Sequence, residues 1–317
     1  MPTNPTNMQA FIDAEALSSL LPFPELIPAL HAGFSAHPGQ PDRVHLTVPS
    51  GRESPSTLLL MPAWNDRYIG VKVATIHPHN GEKGLPSVHA SYVLKDAETG
   101  QDLAVLDGTA LTRLRTAAAS ALASTFLSRR DASTLLMVGA GALAVPLIRA
   151  HASVRPIHRV LAWNRTPDRT ADLQKAVDLP VTPIDDLSTG VAEADIISCA
   201  TLSLGPLIRS HDVGDGTHID LVGAYRPDMR ESDSALIGRA RVFVDTYPGA
   251  RHEAGDLVQA ASEGDWSFEL IEADLADLCS GKHPGRHGPE EVTVFKSVGA
   301  SIEDLIAAGL AWERYNG

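Results

Sequence analysis

The chain has 317 residues, 44% of them hydrophobic and 21% charged, with a formal net charge of -13 at pH 7. That length exceeds one ordinary core and predicts two domains in a globular protein. The acidic balance argues against nucleic acid or an anionic membrane surface as the main partner, while leaving room for a local positive pocket. The two cysteines, Cys199 and Cys279, lie far apart and form no C-x-x-C pair. They suit a reducing cytoplasm and predict neither a disulfide framework nor a zinc site. The opening MPTNPTNMQAFID is too polar for a signal peptide. No apolar run approaches the roughly 20 residues of a membrane span.

In chain order, residues 14–36 read as helix interrupted by prolines. RVHLTV, STLLLMPA, YIGVKVATI and SVHASYVLKD read as strands separated by Pro, Gly and Asn. AETGQD is a hairpin turn before LAVLDG, so this third of the chain is an antiparallel meander. TALTRLRTAAASALASTFLSRRD reads as one long helix. Leu111, Leu114, Ala118, Leu122 and Phe126 form its apolar face. Arg115 lies beside that stripe, where an arginine needs an anion to meet it. From Leu135, short apolar runs alternate with helical ones: LLMV, RVLAW, DIISCA, HIDLVGA and RVFVDT. This predicts an α/β fold, a Rossmann-type doubly wound parallel sheet. GKHPGRHGPEE reads as a mobile loop, and the chain ends in a strand, a turn and a closing helix. The expected domains are 114–294 for the parallel sheet, and 1–113 with 295–317 returning for a second α+β domain.

LLMV followed by Gly139, Ala140, Gly141, Ala142, Leu143 and Ala144 is a G-x-G-x-x-A turn between strand and helix. Gly139 permits the tight turn, Gly141 lets a pyrophosphate approach the backbone, and Ala144 allows close helix packing. The helix N-terminus offers N–H groups to phosphate. An NAD site usually has an acid at the end of the second strand. Here that strand ends in Asn164, Arg165 and Thr166. A guanidinium and hydroxyls would receive a 2′-phosphate that a carboxylate would repel, so NADP is expected over NAD, with NAD possible. The competing reading is that Arg165 and Thr166 only start the next helix.

Six segments together, VKVATIHPHN, DGTALTRLRTAAASALA, VGAGALA, VGAYRPDMRES, AGDL and FKSVGASIEDL, resemble the ornithine cyclodeaminase/mu-crystallin family. They cover most of the chain from about residue 40 to 310, in family order. The family includes ornithine cyclodeaminases, alanine dehydrogenases and reductases of cyclic imino acids. The resemblance implies a homodimer acting on a small amino or imino acid. It implies that Arg43 and Lys72 hold the substrate carboxylate, Arg115 stands between substrate and cofactor, and Thr116 contacts cofactor phosphates. Ala200, Thr201 and Gly223 are further cofactor contacts, and Ser297 and Val298 close the site. Periodicity alone favours Lys72 as a solvated edge-strand lysine; the resemblance reverses that. Lys72 shares a strand face with Tyr68, Gly70 and Ala74, which predicts room for a ligand.

One departure is informative. Ornithine cyclodeaminases carry an acid just before the proline of VGAYRPDM, where Tyr225 stands here. Asp228, beyond Pro227, is a poor substitute, so nothing obvious activates a distal amine. The expected activity is therefore reduction of a cyclic imino acid such as Δ1-pyrroline-2-carboxylate by NADPH, with Lys72 or a water as proton source and Lys72 and Arg115 as catalytic residues. The alternatives are an NAD-dependent ornithine cyclodeaminase, an alanine-type dehydrogenase, and a non-enzymatic binding protein like mu-crystallin. His77 and His79 have metal-like spacing without a third ligand and read as a surface loop. His283 and His287 read the same way. No G-x-S-x-G occurs. Cys199 reads as a small packing residue.

Overall fold

A computed structural model describes residues 10–36, 40–49, 55–264 and 266–317. Most of the opening segment weighed as a signal peptide lies outside them. The chain divides into two compact units, 1–116 with 300–317, and 117–299.

The elements begin with β1 (Ala10–Ile12), α1 (Ala14–Leu20) and α2 (Phe23–Ser35). Then come β2 (Val44–Val48), β3 (Ser56–Trp64), β4 (Tyr68–Ile76), β5 (Val88–Asp96), β6 (Asp102–Asp107) and α3 (Gly108–Leu127). They continue with β7 (Thr134–Val138), α4 (Ala144–Val154), β8 (Arg159–Trp163), α5 (Ala171–Ala176), β9 (Val181–Pro183), α6 (Leu187–Glu193), β10 (Ile196–Cys199) and β11 (His218–Leu221). The remainder is α7 (Ser234–Arg239), β12 (Arg241–Val244), α8 (Tyr247–His252), α9 (Gly255–Glu263), β13 (Ile271–Asp274), α10 (Leu275–Cys279), β14 (Thr293–Lys296) and α11 (Ser301–Asn316).

The first unit is a six-stranded sheet in the order β1-β6-β5-β4-β3-β2. β2 to β6 form the antiparallel meander that their alternation predicts. The hairpin between β5 and β6 turns on Asp96, whose carboxylate accepts from the Thr99 N–H at 2.7 Å, with Gly100 at a φ of 72°. β1 pairs parallel with β6; three residues are too few to show a period. The helical stretch expected over 14–36 breaks between α1 and α2 at Leu21 and Pro22, since proline lacks the N–H a helix needs. α11 packs on one face of this sheet. A Cβ at Gly309 would come within 2.9 Å of the Tyr68 ring, and one at Gly33 within 2.1 Å of Ile306, so both glycines allow close approach. α3 differs from its predicted single apolar stripe: Arg115 to Ser124 are all buried, while Leu114 and Phe126 are half-buried.

The second unit is an eight-stranded parallel sheet in the order β13-β12-β14-β11-β10-β7-β8-β9. The order reverses between β7 and β10, which places a crevice at their C-terminal ends. Its core is the apolar interior of the strands, among them Leu136, Val138, Ile197, Ile219 and Val294. β14 pairs with β11 and β12. The boundary expected at residue 295 therefore falls inside a strand of this sheet, and the return to the first unit comes at Ala300. The segment read as a mobile loop, 281–291, is tied down. Arg286 donates to the Leu127 and Glu291 carbonyls at 2.6 Å each.

Candidate active site

The candidate residues form one group in each unit. In the first, Lys72 sits on the inner face of β4, 4% exposed. It is thus no solvated edge lysine: β4 is an interior strand, paired with β3 and β5. Its ammonium donates to Asp304 Oδ2 at 2.8 Å and to the Thr112 hydroxyl at 3.4 Å. Arg115, equally buried, donates from Nε to Asp304 Oδ1 at 3.0 Å and from Nη1 to Glu303 Oε2 at 2.6 Å. Asp304 therefore bridges both cations. The anion expected for Arg115 is supplied by the chain itself.

Electrostatics follow from burial. Desolvation pushes the Lys72 ammonium down to about 8; Asp304 opposes this, while Arg115 and Arg43 reinforce it. Burial works against the Asp304 carboxylate, yet Arg115 and Lys72 outweigh it and hold the group below the ordinary range. Burial also disfavours the Arg115 charge, but Asp304 and Glu303 more than offset it. Arg43, just before β2, is half-buried.

The room expected on the Lys72 face is smaller than predicted. A Cβ at Gly70 would come within 2.1 Å of the Tyr92 hydroxyl, so the phenol from β5 fills that space. Glu303 and Asp304 escaped sequence reasoning because acids in the first turn of a helix usually read as solvated partners of its dipole. A usable signal existed: Asp304, Ala308 and Ala311 recur at helical spacing and are all buried.

In the second unit, Gly139 has a φ of 105°, and a Cβ there would come within 2.7 Å of the Ala200 carbonyl. Both facts require glycine. A Cβ at Gly141 would meet nothing within 4 Å, so no neighbour of its own explains that glycine. Leu143, at the start of α4, makes no side-chain cap; in the first turn Ala144 donates its N–H to the Gly141 carbonyl at 3.1 Å, and Pro146 has none. Ala144 is buried. These features fit a dinucleotide pyrophosphate. Ala140 donates its N–H to Asn164 Oδ1 at 3.1 Å, and Asn164 Nδ2 donates to the Thr166 carbonyl at 2.8 Å. Asn164 thus braces the turn, while Arg165 and Thr166 are exposed.

Beyond β10, the Thr201 N–H and hydroxyl donate to Glu231 Oε1 at 2.6 and 2.8 Å. Gly223, beyond β11, donates to Glu231 Oε2 at 2.7 Å. Burial pushes the Glu231 carboxyl up to about 7, against the pull of Lys296. Asp256 Oδ1 accepts from the N–H groups of Glu231 and Ser232 at 2.7 and 2.8 Å, and Lys296 Nζ stands 3.3 Å from its Oδ2. None of these three charged residues was singled out from sequence. Val298 donates its N–H to Asp245 Oδ2 at 2.7 Å, and Ser297 is buried. Tyr225 is 38% exposed on the loop after β11. Asp228 is gripped by Arg226 through Nε and Nη2 at 2.9 and 2.8 Å. Cys199 is fully buried. Among the described residues no cluster of three or more potential metal ligands occurs, and no helix is long and apolar enough to cross a membrane.

A glycine turn at the reversal point of a doubly wound sheet, in a chain whose other unit holds a buried lysine–carboxylate–arginine cluster, defines a class: two-unit α/β enzymes of the dinucleotide-dependent kind. The family model described as Ornithine cyclodeaminase/mu-crystallin family matches residues 8–317, and the chain belongs to that family. A Delta(1)-pyrroline-2-carboxylate reductase of Colwellia psychrerythraea is 39% identical, over 94% of this chain and 96% of its own. The structure of the Thermococcus litoralis Delta(1)-pyrroline-2-carboxylate reductase in complex with NADH and L-proline superposes with a TM-score of 0.90 at 31% identity, over 96% of this chain and 97% of that one. An archaeal alanine dehydrogenase dimer with bound NAD gives a TM-score of 0.89 at 28% identity, over 97% and 96%.

Proposed function

We infer that this chain is an NAD(P)H-dependent reductase of a cyclic imino acid such as Δ1-pyrroline-2-carboxylate, which it converts to L-proline. The observation that carries the reading is the Lys72 ammonium, a buried proton carrier held by Asp304, in a chain whose relatives bear the reductase's name. A bound nicotinamide dinucleotide supplies the hydride to the imine carbon. Lys72 gives its proton to the ring nitrogen, which makes the carbon electrophilic and leaves a neutral secondary amine once hydride has arrived. An ammonium whose pKa is lowered to about 8 is a far better acid than a solvated lysine. Arg43 takes the substrate carboxylate. Arg115 is committed to Glu303 and Asp304, so it holds Asp304 in place rather than gripping substrate.

A cyclodeaminase needs a carboxylate for the distal amine. Position 225 is a tyrosine, and Asp228 is paired with Arg226. Tyr225 lines the substrate pocket in this reading. The exposed Arg165 and Thr166 would meet a 2′-phosphate, so NADPH is the preferred reductant. Cys199 and Cys279 are both buried, and this reading places the protein in the cytoplasm. The protein is a homodimer through the outer face of the six-stranded sheet. There Phe11, Val44, Leu46, Trp64 and Ile69 are exposed on one face of the register, with Trp64 and Ile69 directly paired. That uncovered apolar face suits a second copy.

The test is direct. The protein is mixed with Δ1-pyrroline-2-carboxylate and either NADPH or NADH, and absorbance is followed; in parallel L-ornithine is added and ammonia assayed. Nicotinamide oxidation without ammonia release supports the reading, and the reverse result would falsify it. Sedimentation of wild type against Trp64→Lys tests the dimer; identical masses would remove that face from the interface.

A further inference from the structure

We propose that Glu231 is a positioning residue that sets the nicotinamide end of the cofactor cleft by tying together the loops after β10 and β11. The inference rests on the cofactor reading above and names a residue which that reading does not use.

The crevice where strand order reverses has two sides. The glycine turn after β7 takes the pyrophosphate, and the end of β8, with Asn164 to Thr166, takes the adenosine side. The nicotinamide half must therefore run the other way, across the ends of β10 and β11. Those ends are Ala200 with Thr201, and Gly223. The ladder bonds run only as far as Ala200 and Val222, whose N–H groups donate to the Val138 and Cys199 carbonyls at 3.0 and 2.8 Å, and they do not hold Thr201 to Gly223. One carboxylate does so instead. Glu231 accepts from Thr201 with one oxygen and from Gly223 with the other. It reaches both because Gly223 has no side chain: a Cβ there would come within 2.0 Å of the Thr201 carbonyl and 2.4 Å of Glu231 Oε1.

The acid is itself anchored. Its carbonyl accepts from Leu207 and Ile208 at 2.8 and 2.9 Å. Its N–H is held by Asp256, and Lys296 stands against Asp256 from β14. The Glu231 tie also bears on the pyrophosphate turn, since Gly139 packs against the Ala200 carbonyl and the Thr201 methyl. A glutamine cannot replace this acid. Every donor aimed at the carboxylate needs an acceptor, and an amide turns one of the two oxygens into a donor. One of the two loops is then released.

The experiment measures NADH binding by fluorescence without any imine, beside melting temperature and the primary isotope effect with C4-deuterated NADH. Glu231→Gln is expected to weaken NADH binding about tenfold, the scale of one lost charge-assisted hydrogen bond. The isotope effect should rise, because hydride transfer from a misplaced ring becomes rate-limiting. Glu231→Asp, one methylene shorter, should do the same, and it is read alone if the glutamine variant does not fold. A folded variant with wild-type NADH affinity and an unchanged isotope effect overturns the proposal, even if its melting temperature falls. Wild type that binds NADH but reduces no imine overturns the proposed function instead, and the binding comparison still decides on Glu231. Wild type that binds no nicotinamide overturns both.

Discussion

Both units bury carboxylates, and they use them differently. In the first, Glu303 and Asp304 face Lys72 and Arg115: two anions and two cations, a formal balance of zero. In the second, Glu231 and Asp256 face a single lysine, Lys296, and take most of their hydrogen bonds from backbone and hydroxyl groups. In the proposed function the first arrangement keeps side-chain charge ready to act on a substrate, and in the proposal for Glu231 the second turns charge inward to hold loops. A buried acid beside cations tunes proton chemistry, whereas one beside N–H groups fixes geometry.

The largest test breaks the first arrangement. Lys72→Ala should lower kcat by about a thousandfold, within the range for a lost proton donor. NADH affinity, measured separately, should be unchanged; a parallel loss of binding would show that the two units do not divide the work this way. Asp304→Asn comes next. It removes part of the partner set of two buried cations and should cost about 3 kcal/mol in denaturant melts. It also removes the attraction that raises Lys72, so the lysine pKa falls below about 8. Rate against pH sharpens this. In wild type Lys72 is charged below about 8 and loses its proton above it, so kcat should fall tenfold per pH unit on the alkaline side. In Asp304→Asn that limb should move toward acid; a limb that stays put would take Lys72 out of the proton transfer. The smallest effect belongs to the cofactor edge. Arg165→Asp should shift the NADPH-to-NADH ratio of kcat/KM toward NADH by about tenfold. An unmoved ratio would separate Arg165 from the 2′-phosphate.

Much of this was legible in the chain. The period-2 run YIGVKVATI became β4 residue for residue, and the G-x-G-x-x-A turn fell between β7 and α4. These signals are local, so a window of ten residues carries them. Four-residue strands with an apolar run, such as β10 and β12, were legible, but β9 and β13, VTP and IEAD, carry no such run and depend on neighbours supplied from elsewhere in the chain. The family segments contained Glu303, Asp304 and Glu231; helical spacing with Ala308 and Ala311 marks Asp304, whereas Glu231 lies outside any helix or strand and carries no such mark.

Residue order alone determined the two architectures, the place of the phosphate turn and the family, because hydrophobic period and glycine spacing are properties of neighbours in sequence. Only the folded chain decided which charges meet. Asp304 lies 232 residues from Lys72 and 189 from Arg115, and Coulomb energy in a dry interior depends on separation in space and on lost water. Those two quantities set the lysine near neutrality, and neither exists before the helix closes on the sheet.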